Sequence, residues 1–336
     1  MIALEEKFLV NILYRPESEI LNGVDINNIN FEKLITLTSG HLMLPALFFN
    51  IQKKKAAYLF PEDFIAYIKS IYAINKARNE ILLNEAKELS ELLVENNIKH
   101  VFLKGTALLL SNVFEDIGER MIGDIDFIIQ GKDEEKIKKV LKYNNNCEPH
   151  KISSSRFLIP KHLRRQVLEN KTIAIEAHLG LLKYRYSWIF NSKVLGNDFK
   201  KKTKMIKTPS QSFLFDHCVY NFQINDGGFI GTKHSHRSIY DIYKLDCKKS
   251  LTIDNIKKDI FKKYFFVTIA KFNIFDMDIK SNLWCFYFDK LCIVVISNLY
   301  MRYLQTLEVF FSAAYRKHAL NKIINFLYKR SVKTNI

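Results

Sequence analysis

The chain has 336 residues, of which 48% are hydrophobic, and it carries a formal net charge of +16. This composition is that of an ordinary globular protein with enough apolar residues for a buried core, and the length allows two or three domains or one continuous body. The five cysteines form an odd set without Cys-x-x-Cys spacing, which argues against a disulfide framework and against a zinc site.

The positive charge favours contact with an anionic partner such as nucleotide, RNA or lipid headgroups. A composition rich in Lys, Asn and Ile explains the charge equally well. The N-terminus lacks the features of a signal peptide, so the expected location is cytoplasmic. No run approaches the roughly 20 apolar residues of a spanning helix, so no transmembrane segment is expected, and residues 291–296 are interpreted as a buried helix turn or strand.

Three regions differ in pattern along the chain, without a linker between them. Residues 1–97 are predicted to be helical, because apolar residues recur at helical spacing along the stretch that ends this region. Residues 98–207 mix short strands with helices. Residues 208–336 are again predicted to be helical and are rich in Phe and Tyr, with a basic final stretch. The predicted fold class is therefore α+β, with short strands between N- and C-terminal helical regions.

The central region begins with an apolar strand at 101–103, followed by a helix at 106–111 and a second strand at 125–129. Asp133 is predicted to cap the next helix. Residues 163–168 and 172–179 flank a turn and are predicted to form a hairpin. In its second strand, alternation directs Ile175 and Ala177 to one face and Glu176 and His178 to the other.

Two carboxylates one residue apart, Asp124 and Asp126, follow a turn formed by Lys104, Gly105 and Thr106. Residues i and i+2 of a strand share a face, so both carboxylates point the same way and can hold divalent ions. A strand that passes through Gly-Thr into a helix can offer free N–H groups to phosphate. Together these features predict binding of a nucleoside triphosphate.

These motifs resemble those of the largely uncharacterised bacterial nucleotidyltransferase family proteins of the polymerase-beta-like superfamily. The resemblance covers residues 98–182 and rests on the Lys-Gly turn, on an Arg followed by the Asp-x-Asp pair, and on an acidic residue two positions before a His. It implies a nucleotidyltransferase core (98–207) built on a small mixed β-sheet. It also implies a phosphorus-group transferase of the 2.7.7 type that uses an NTP such as ATP, binds two Mg²⁺ ions and releases pyrophosphate.

The resemblance also implies the role of each residue. Asp124, Asp126 and Glu176 would be the catalytic carboxylates and metal ligands, which fits the preference of Mg²⁺ for oxygen. The nucleotide-binding residues would be Lys104, Gly105, Thr106 and Arg120. Both cations among them could instead pair with the carboxylates. His178 is a candidate substrate contact, although a structural histidine fits the same position.

The sequence leaves the acceptor open between a metabolite, a peptide or protein, and RNA, including a tRNA end as in toxin-type nucleotidyltransferases. The basic C-terminal region favours contact with RNA or another anionic surface. A catalytically silent nucleotide- or RNA-binding module on the same fold is the alternative function.

Residues 225–237, which contain three glycines and two histidines, are interpreted as a loop rather than as a metal or phosphate site. His217, His236, Arg237 and Asp241 resemble residues in the helical region of the same family, where they either close over the acceptor or fix helices together, and packing is the favoured interpretation.

Overall fold

The computed structural model describes residues 2–142, 160–191, 195–196, 206–245, 253–275 and 283–311. The fold is α+β, as predicted, with twelve α-helices and one four-stranded sheet in these residues. The helices are α1 (Leu4–Tyr14), α2 (Phe31–Gly40), α3 (Leu44–Lys53), α4 (Glu62–Glu95), α5 (Lys104–Leu110), α6 (Glu134–Val140), α7 (Gln211–Tyr220), α8 (Gly228–Gly231), α9 (His236–Lys244), α10 (Ile253–Lys258), α11 (Ile260–Ile269) and α12 (Leu283–Phe311). The strands are β1 (His100–Phe102), β2 (Asp124–Ile129), β3 (Gln166–Val167) and β4 (Ala174–His178).

The sheet has the order β1-β2-β4-β3 and is mixed. Strand β2 is antiparallel to β1 and parallel to β4, while β3 is antiparallel to β4. The predicted strands at 101–103 and 125–129 and the helix between them are confirmed within two residues. The predicted hairpin is confirmed as β3 and β4, although β3 is only two residues long.

Both faces of the sheet are covered, and the alternation of side chains decides which face meets which helices. Phe127, Ile175 and Ala177 point into the core shared with the N-terminal helices. On the other face, Val101 and Ile128 pack into a second core with aromatic residues of the C-terminal helices. The predicted separation of Ile175 and Ala177 from Glu176 and His178 is therefore confirmed.

Two local predictions are wrong. Asp133 precedes α6, but its side chain makes no capping hydrogen bond, because φ −95° and ψ 4° depart from the extended backbone that capping side chains use. Residues 225–237 are not a continuous loop, since a π-helical turn at Asn221–Asn225 leads to α8, and α9 begins at His236.

The long helix α12 corrects the expectation for residues 291–296. This segment is helical but not buried, since Leu291 is 60% exposed and Val295 and Ile296 are each 46% exposed. The helix packs on the protein through only part of its surface, through residues such as Phe286 and Leu304. Most of the basic residues of the C-terminal prediction lie in residues 312–336, outside the described part.

Helix α12 also bears on the expected lack of a transmembrane segment. Within the described residues it is long and apolar enough to cross a membrane, judged by length and composition alone. A second candidate arises only if α2 and α3, which meet at an angle of 118°, are counted as one span. Core helices of soluble proteins satisfy the same criterion, so this is weak support for a membrane span.

The loop that leads into β2 is held by two buried asparagines of α4. Asn75 donates to the carbonyl of Gly118 at 2.7 Å, and Asn79 donates to the carbonyl of Arg120 at 2.8 Å. Both side chains are almost fully enclosed. A backbone carbonyl that leaves water needs such a partner. Helix α4 therefore sets the position of the chain just before the strand that carries Asp124 and Asp126.

Replacing Asn79 by Ala removes its amide donor and leaves the buried carbonyl of Arg120 with fewer partners. We expect the free energy of unfolding to fall by about 1–3 kcal/mol, measured by urea denaturation. The matched control is Asn84→Ala on an exposed position of the same helix, which we expect to change it by less than about 0.5 kcal/mol. Equal effects of the two substitutions would refute the proposed support of the loop.

Candidate active site

The centre of the site is a pair of acidic residues on two adjacent parallel strands. Asp126 of β2 lies directly opposite Glu176 of β4 in the register of the sheet. Asp124 precedes Asp126 by two residues, so its side chain leaves β2 on the same face. Asp126 is 3% exposed, Asp124 and Glu176 are partly exposed, and both aspartates line a cavity. The fold therefore brings together the three carboxylates that the sequence predicts to act jointly.

Lys104 supplies the positive charge nearest to these carboxylates. Its Nζ lies 2.5 Å from Oδ1 of Asp126 and 3.6 Å from Oε2 of Glu176. Lys104 is the first residue of α5 and has φ +49°, a left-handed conformation that is costly for a residue with a Cβ. Non-glycine residues in such conformations cluster at functional sites.

His178 completes the group from β4. Its Nε2 lies 2.8 Å from Oδ1 of Asp126 and 3.5 Å from Oε2 of Glu176. Its Nδ1 is buried and has no hydrogen-bond partner among the described residues. The ligand atoms of Asp126, Glu176 and His178 lie within 4.8 Å of one another, close enough to hold one metal ion. The histidine thus contacts the acidic centre directly, and its contact with a substrate stays a prediction.

The charged side chains of this group shift one another's pKa. Burial alone would raise the pKa of Asp126, but Lys104 and His178 outweigh it and hold that pKa well below its usual range. The hydrogen bond from His178 is the main cause that lowers the pKa of Glu176. Burial would lower the pKa of Lys104, yet Asp126 and Glu176 together raise it. Burial, and then the nearby Asp126, raise the pKa of Asp124. At neutral pH, two ionised carboxylates therefore face a charged ammonium group.

Gly105 and Thr106 have different surroundings. Gly105 lines the cavity, and a Cβ at this position would lie only 3.0 Å from Cγ1 of Ile122, so the close approach of α5 favours glycine. The Thr106 hydroxyl donates to the carbonyl of Asp124 at 3.1 Å and accepts from the amide of Asp126 at 3.3 Å. Thr106 is fully buried and fixes the backbone between the two carboxylates. The phosphate contacts predicted for both residues stay predictions.

Arg120 lies at the cavity in a buried, bidentate ion pair with Asp241 of α9. Its Nε and Nη2 donate to the two carboxylate oxygens at 2.6 and 2.8 Å. The pair joins the loop before β2 to the C-terminal helices, which supports the packing interpretation of Asp241. A contact of Arg120 with nucleotide stays a prediction.

The cavity between the acidic centre and α7 and α9 has a volume of about 220 Å³. Its lining contains four cationic and four anionic side chains: Lys104, Arg120, Lys161, Arg237, Asp124, Asp126, Asp226 and Asp241. Lys161 and Arg237 have no ion-pair partner within hydrogen-bond distance among the described residues. Buried His217 also lines the cavity, and burial lowers its pKa to about 3, so it is neutral at pH 7.

Comparison with known families agrees with this geometry. The sequence model of a family described as uncharacterised nucleotidyltransferase matches residues 27–256, about two thirds of the chain. The chain belongs to this nucleotidyltransferase family. No curated protein and no solved structure matches it significantly. Membership supports nucleotidyl transfer in general, and with it the use of a nucleotide and a divalent metal.

The sequence did not single out Lys161 or Asp226 of this nucleotidyltransferase. Lys161 precedes the hairpin in a basic stretch at 161–165, which was the available signal. It reaches the cavity because the isolated bridge between His162 and His178 places the segment beside β4. Asp226 lies in the segment interpreted as a loop, where nothing in the spacing of the residues points to the cavity.

Replacing Asp241 by Ala leaves the buried guanidinium of Arg120 without its partner. We expect a loss of about 3–5 kcal/mol in the free energy of unfolding, measured by urea denaturation. The control is Glu135→Ala, whose 80% exposed carboxylate pairs with Lys138 on the surface of α6, and it should cost no more than about 1 kcal/mol. A loss at Asp241 as small as that of the control would show that the ion pair does not support the fold.

Proposed function

We propose that this chain is a Mg²⁺-dependent nucleotidyltransferase that transfers a nucleoside monophosphate from an NTP to an acceptor hydroxyl and releases pyrophosphate. The observation that carries the proposal is the pairing of Asp126 with Glu176 on adjacent parallel strands, with Asp124 beside them and a cavity in front. We further propose membership of the polymerase-beta-like group and a cytoplasmic location, where NTPs are available.

The residues fit divalent cations by charge and by chemistry. Three carboxylates converge, and the ammonium group of Lys104 already occupies a position between two of them, so this position favours positive charge. Oxygen ligands are those that Mg²⁺ prefers. Asp124, Asp126 and Glu176 would hold two Mg²⁺ ions, which neutralise charge on the triphosphate and on the departing pyrophosphate.

The side chains have separate roles in this proposal. The acceptor oxygen attacks the α-phosphorus and forms the new P–O bond, while the bond to the β-phosphate oxygen breaks and its electron pair leaves with pyrophosphate. Glu176, ionised and partly exposed, accepts the proton of the acceptor hydroxyl. Lys161 and Arg237, which lack ion-pair partners among the described residues, contact the phosphates. Lys104 and Arg120 bring further positive charge to the same cavity.

One observation favours a second function, a silent module that binds nucleotide without chemistry. Nζ of Lys104 lies 2.5 Å from Oδ1 of Asp126, whereas a carboxylate that binds a metal ion needs its negative charge available to that ion. If the ammonium remains there, the carboxylates are neutralised without metal. Such a protein would bind nucleotide in the absence of divalent ions, and binding measured by thermal shift would survive EDTA.

The decisive experiment follows label from each α-³²P NTP, with Mg²⁺, into RNA, protein or metabolite fractions of a cell extract. We expect transfer by the natural protein and a decrease on the order of 10²-fold or more for Asp126→Asn and for Glu176→Gln, because each removes a charge that stabilises the transition state. The matched control is Glu169→Gln, whose side chain is 82% exposed on the turn between β3 and β4.

The fraction that receives the label identifies the acceptor class among metabolite, protein and RNA, including tRNA ends. Equal labelling by the natural protein and by Asp126→Asn would contradict catalysis at this site. Nucleotide binding that resists EDTA, without any transfer, would favour the silent module.

Lys161 makes the proposed nucleotide binding depend on pH. Burial, and then the charge of Lys104, lower the pKa of Lys161 to about 8. The ammonium is charged below this value and loses its charge as the pH rises through it. We therefore expect NTP affinity, measured by calorimetry with Mg²⁺ present, to fall above about pH 8.

The variant Lys161→Arg keeps its charge to much higher pH, so the fall in affinity should disappear from this range. Lys161→Gln should bind more weakly at pH 7 and show a flat profile. The control Lys132→Gln, at an exposed position after β2, should behave like the natural protein. An unchanged pH profile in Lys161→Gln would exclude this lysine as the titrating group.

A further inference from the structure

Three histidines converge outside the active site. His41 follows the end of α2, His234 lies just before α9, and His236 is the first residue of α9. One ring nitrogen from each of them lies within 4.8 Å of the other two. The ring centroids of His41 and His236 are 4.9 Å apart, and those of His234 and His236 are 5.2 Å apart. The histidine cluster is formed by these three side chains.

A carboxylate joins the histidine cluster from the N-terminal helix. Oε1 of Glu6 on α1 lies 2.7 Å from Nε2 of His234 and 3.1 Å from Nε2 of His236. In a tetrahedral zinc site with bonds of about 2.0–2.1 Å, neighbouring ligand atoms are roughly 3.3 Å apart. The two distances from Glu6 are shorter than this value by about 0.2–0.6 Å, and no pair of ligand atoms within the histidine cluster needs to shorten by more than about 1.5 Å.

The surroundings of the histidine cluster are partly closed to water. His236 is fully buried, and the side chains of Glu6 and His234 are 12% and 21% exposed. Phe272 covers the cluster on one side, with its ring 5.0 Å from that of His234 and 5.2 Å from that of His236. Nδ1 of His236 is buried and has no hydrogen-bond partner among the described residues. The histidine cluster is therefore largely shielded from solvent.

We propose that His41, His234 and His236, together with the carboxylate of Glu6, bind one structural zinc ion. Neutral imidazole nitrogen suits zinc, and the carboxylate supplies negative charge that offsets the cation. Mg²⁺ prefers oxygen ligands throughout, so the proposed site differs in metal from the active site. The ligands come from separate parts of the chain: α1, the end of α2, and the start of α9.

The proposed ion would tie the N-terminal helices to α9. Helix α9 carries Asp241, which holds Arg120, and Arg237, which lines the cavity. The zinc would therefore position one wall of the active site without touching the substrate. His41 is separated by nearly 200 residues from His234, which is why the spacing of the sequence does not indicate this site.

The test measures the zinc content of the full chain after dialysis against metal-free buffer, by mass spectrometry of the metal. We expect about one zinc ion per chain in the natural protein. Replacing zinc by Co²⁺ should give the strong visible absorption of tetrahedral cobalt, which needs no enzymatic activity as a readout. His41→Ala and His234→Ala should lose the ion and this absorption.

Two matched variants separate the histidine cluster from other metal-binding groups. Glu176→Gln alters the acidic centre of the active site and should keep the zinc, and His100→Gln alters a buried histidine elsewhere and should also keep it. If the histidine variants do not fold, a measurement of the Tm of the natural protein still tests the proposal. Chelation should lower this Tm, and Zn²⁺ but not Mg²⁺ should restore it.

Absence of zinc and of the cobalt absorption in the natural protein would overturn the proposal. Retention of the ion in a folded His41→Ala or His234→Ala protein would overturn it as well. Loss of the ion in Glu176→Gln, with retention in the histidine variants, would place the zinc at the active site and would equally refute the proposal.

Discussion

The enclosed charge of Asp126 constrains the arrangement around it. A carboxylate removed from water is tolerated only with charge partners and hydrogen bonds, and here Lys104 and His178 supply them. Lys104 can reach Asp126 because α5 begins directly after β1, at the cost of a left-handed backbone conformation. His178 can reach it because β4 pairs in parallel with β2, in the register that also places Glu176 opposite Asp126. The sheet order and the start of α5 thus position the same four side chains, those of Asp126, Glu176, Lys104 and His178.

The three regions of the chain share this site instead of forming separate units around it. Asn75 and Asn79 of α4 hold the loop before β2 from the N-terminal side. Asp241 of α9 holds the same loop through Arg120 from the C-terminal side. Tyr240 adds a hydrogen bond to buried Glu119 at 2.7 Å. The match to the nucleotidyltransferase family over residues 27–256 likewise extends into both flanks, so the helical regions belong to the architecture of the site.

Local patterns predicted the parts of this structure that depend on local physics. Alternation in β4 predicted the face shared by Glu176 and His178, and the Asp-x-Asp spacing predicted the common face of Asp124 and Asp126. Long-range contacts were beyond such patterns. The pairing of Arg120 with Asp241 and the approach of Lys161 depend on how distant segments pack, and hydrophobic periodicity carries no information on the partner of a charged residue. The exposed surface of α12 was missed for a related reason, since an apolar run predicts a helix or strand but not what covers it.

The charges that line the cavity bear on the choice between an enzyme and a silent module. Four cationic side chains are matched by four anionic ones, and Lys104 and Arg120 are already paired with Asp126 and Asp241. A triphosphate brings about four negative charges, which this balanced lining cannot neutralise by itself. Stable binding therefore requires additional positive charge, and divalent cations on the carboxylates would provide it. A silent module that binds without metal would have to draw this charge from Lys161 and Arg237 alone. The electrostatic balance consequently favours nucleotide binding coupled to metal, which is the condition that catalysis by this nucleotidyltransferase would also need.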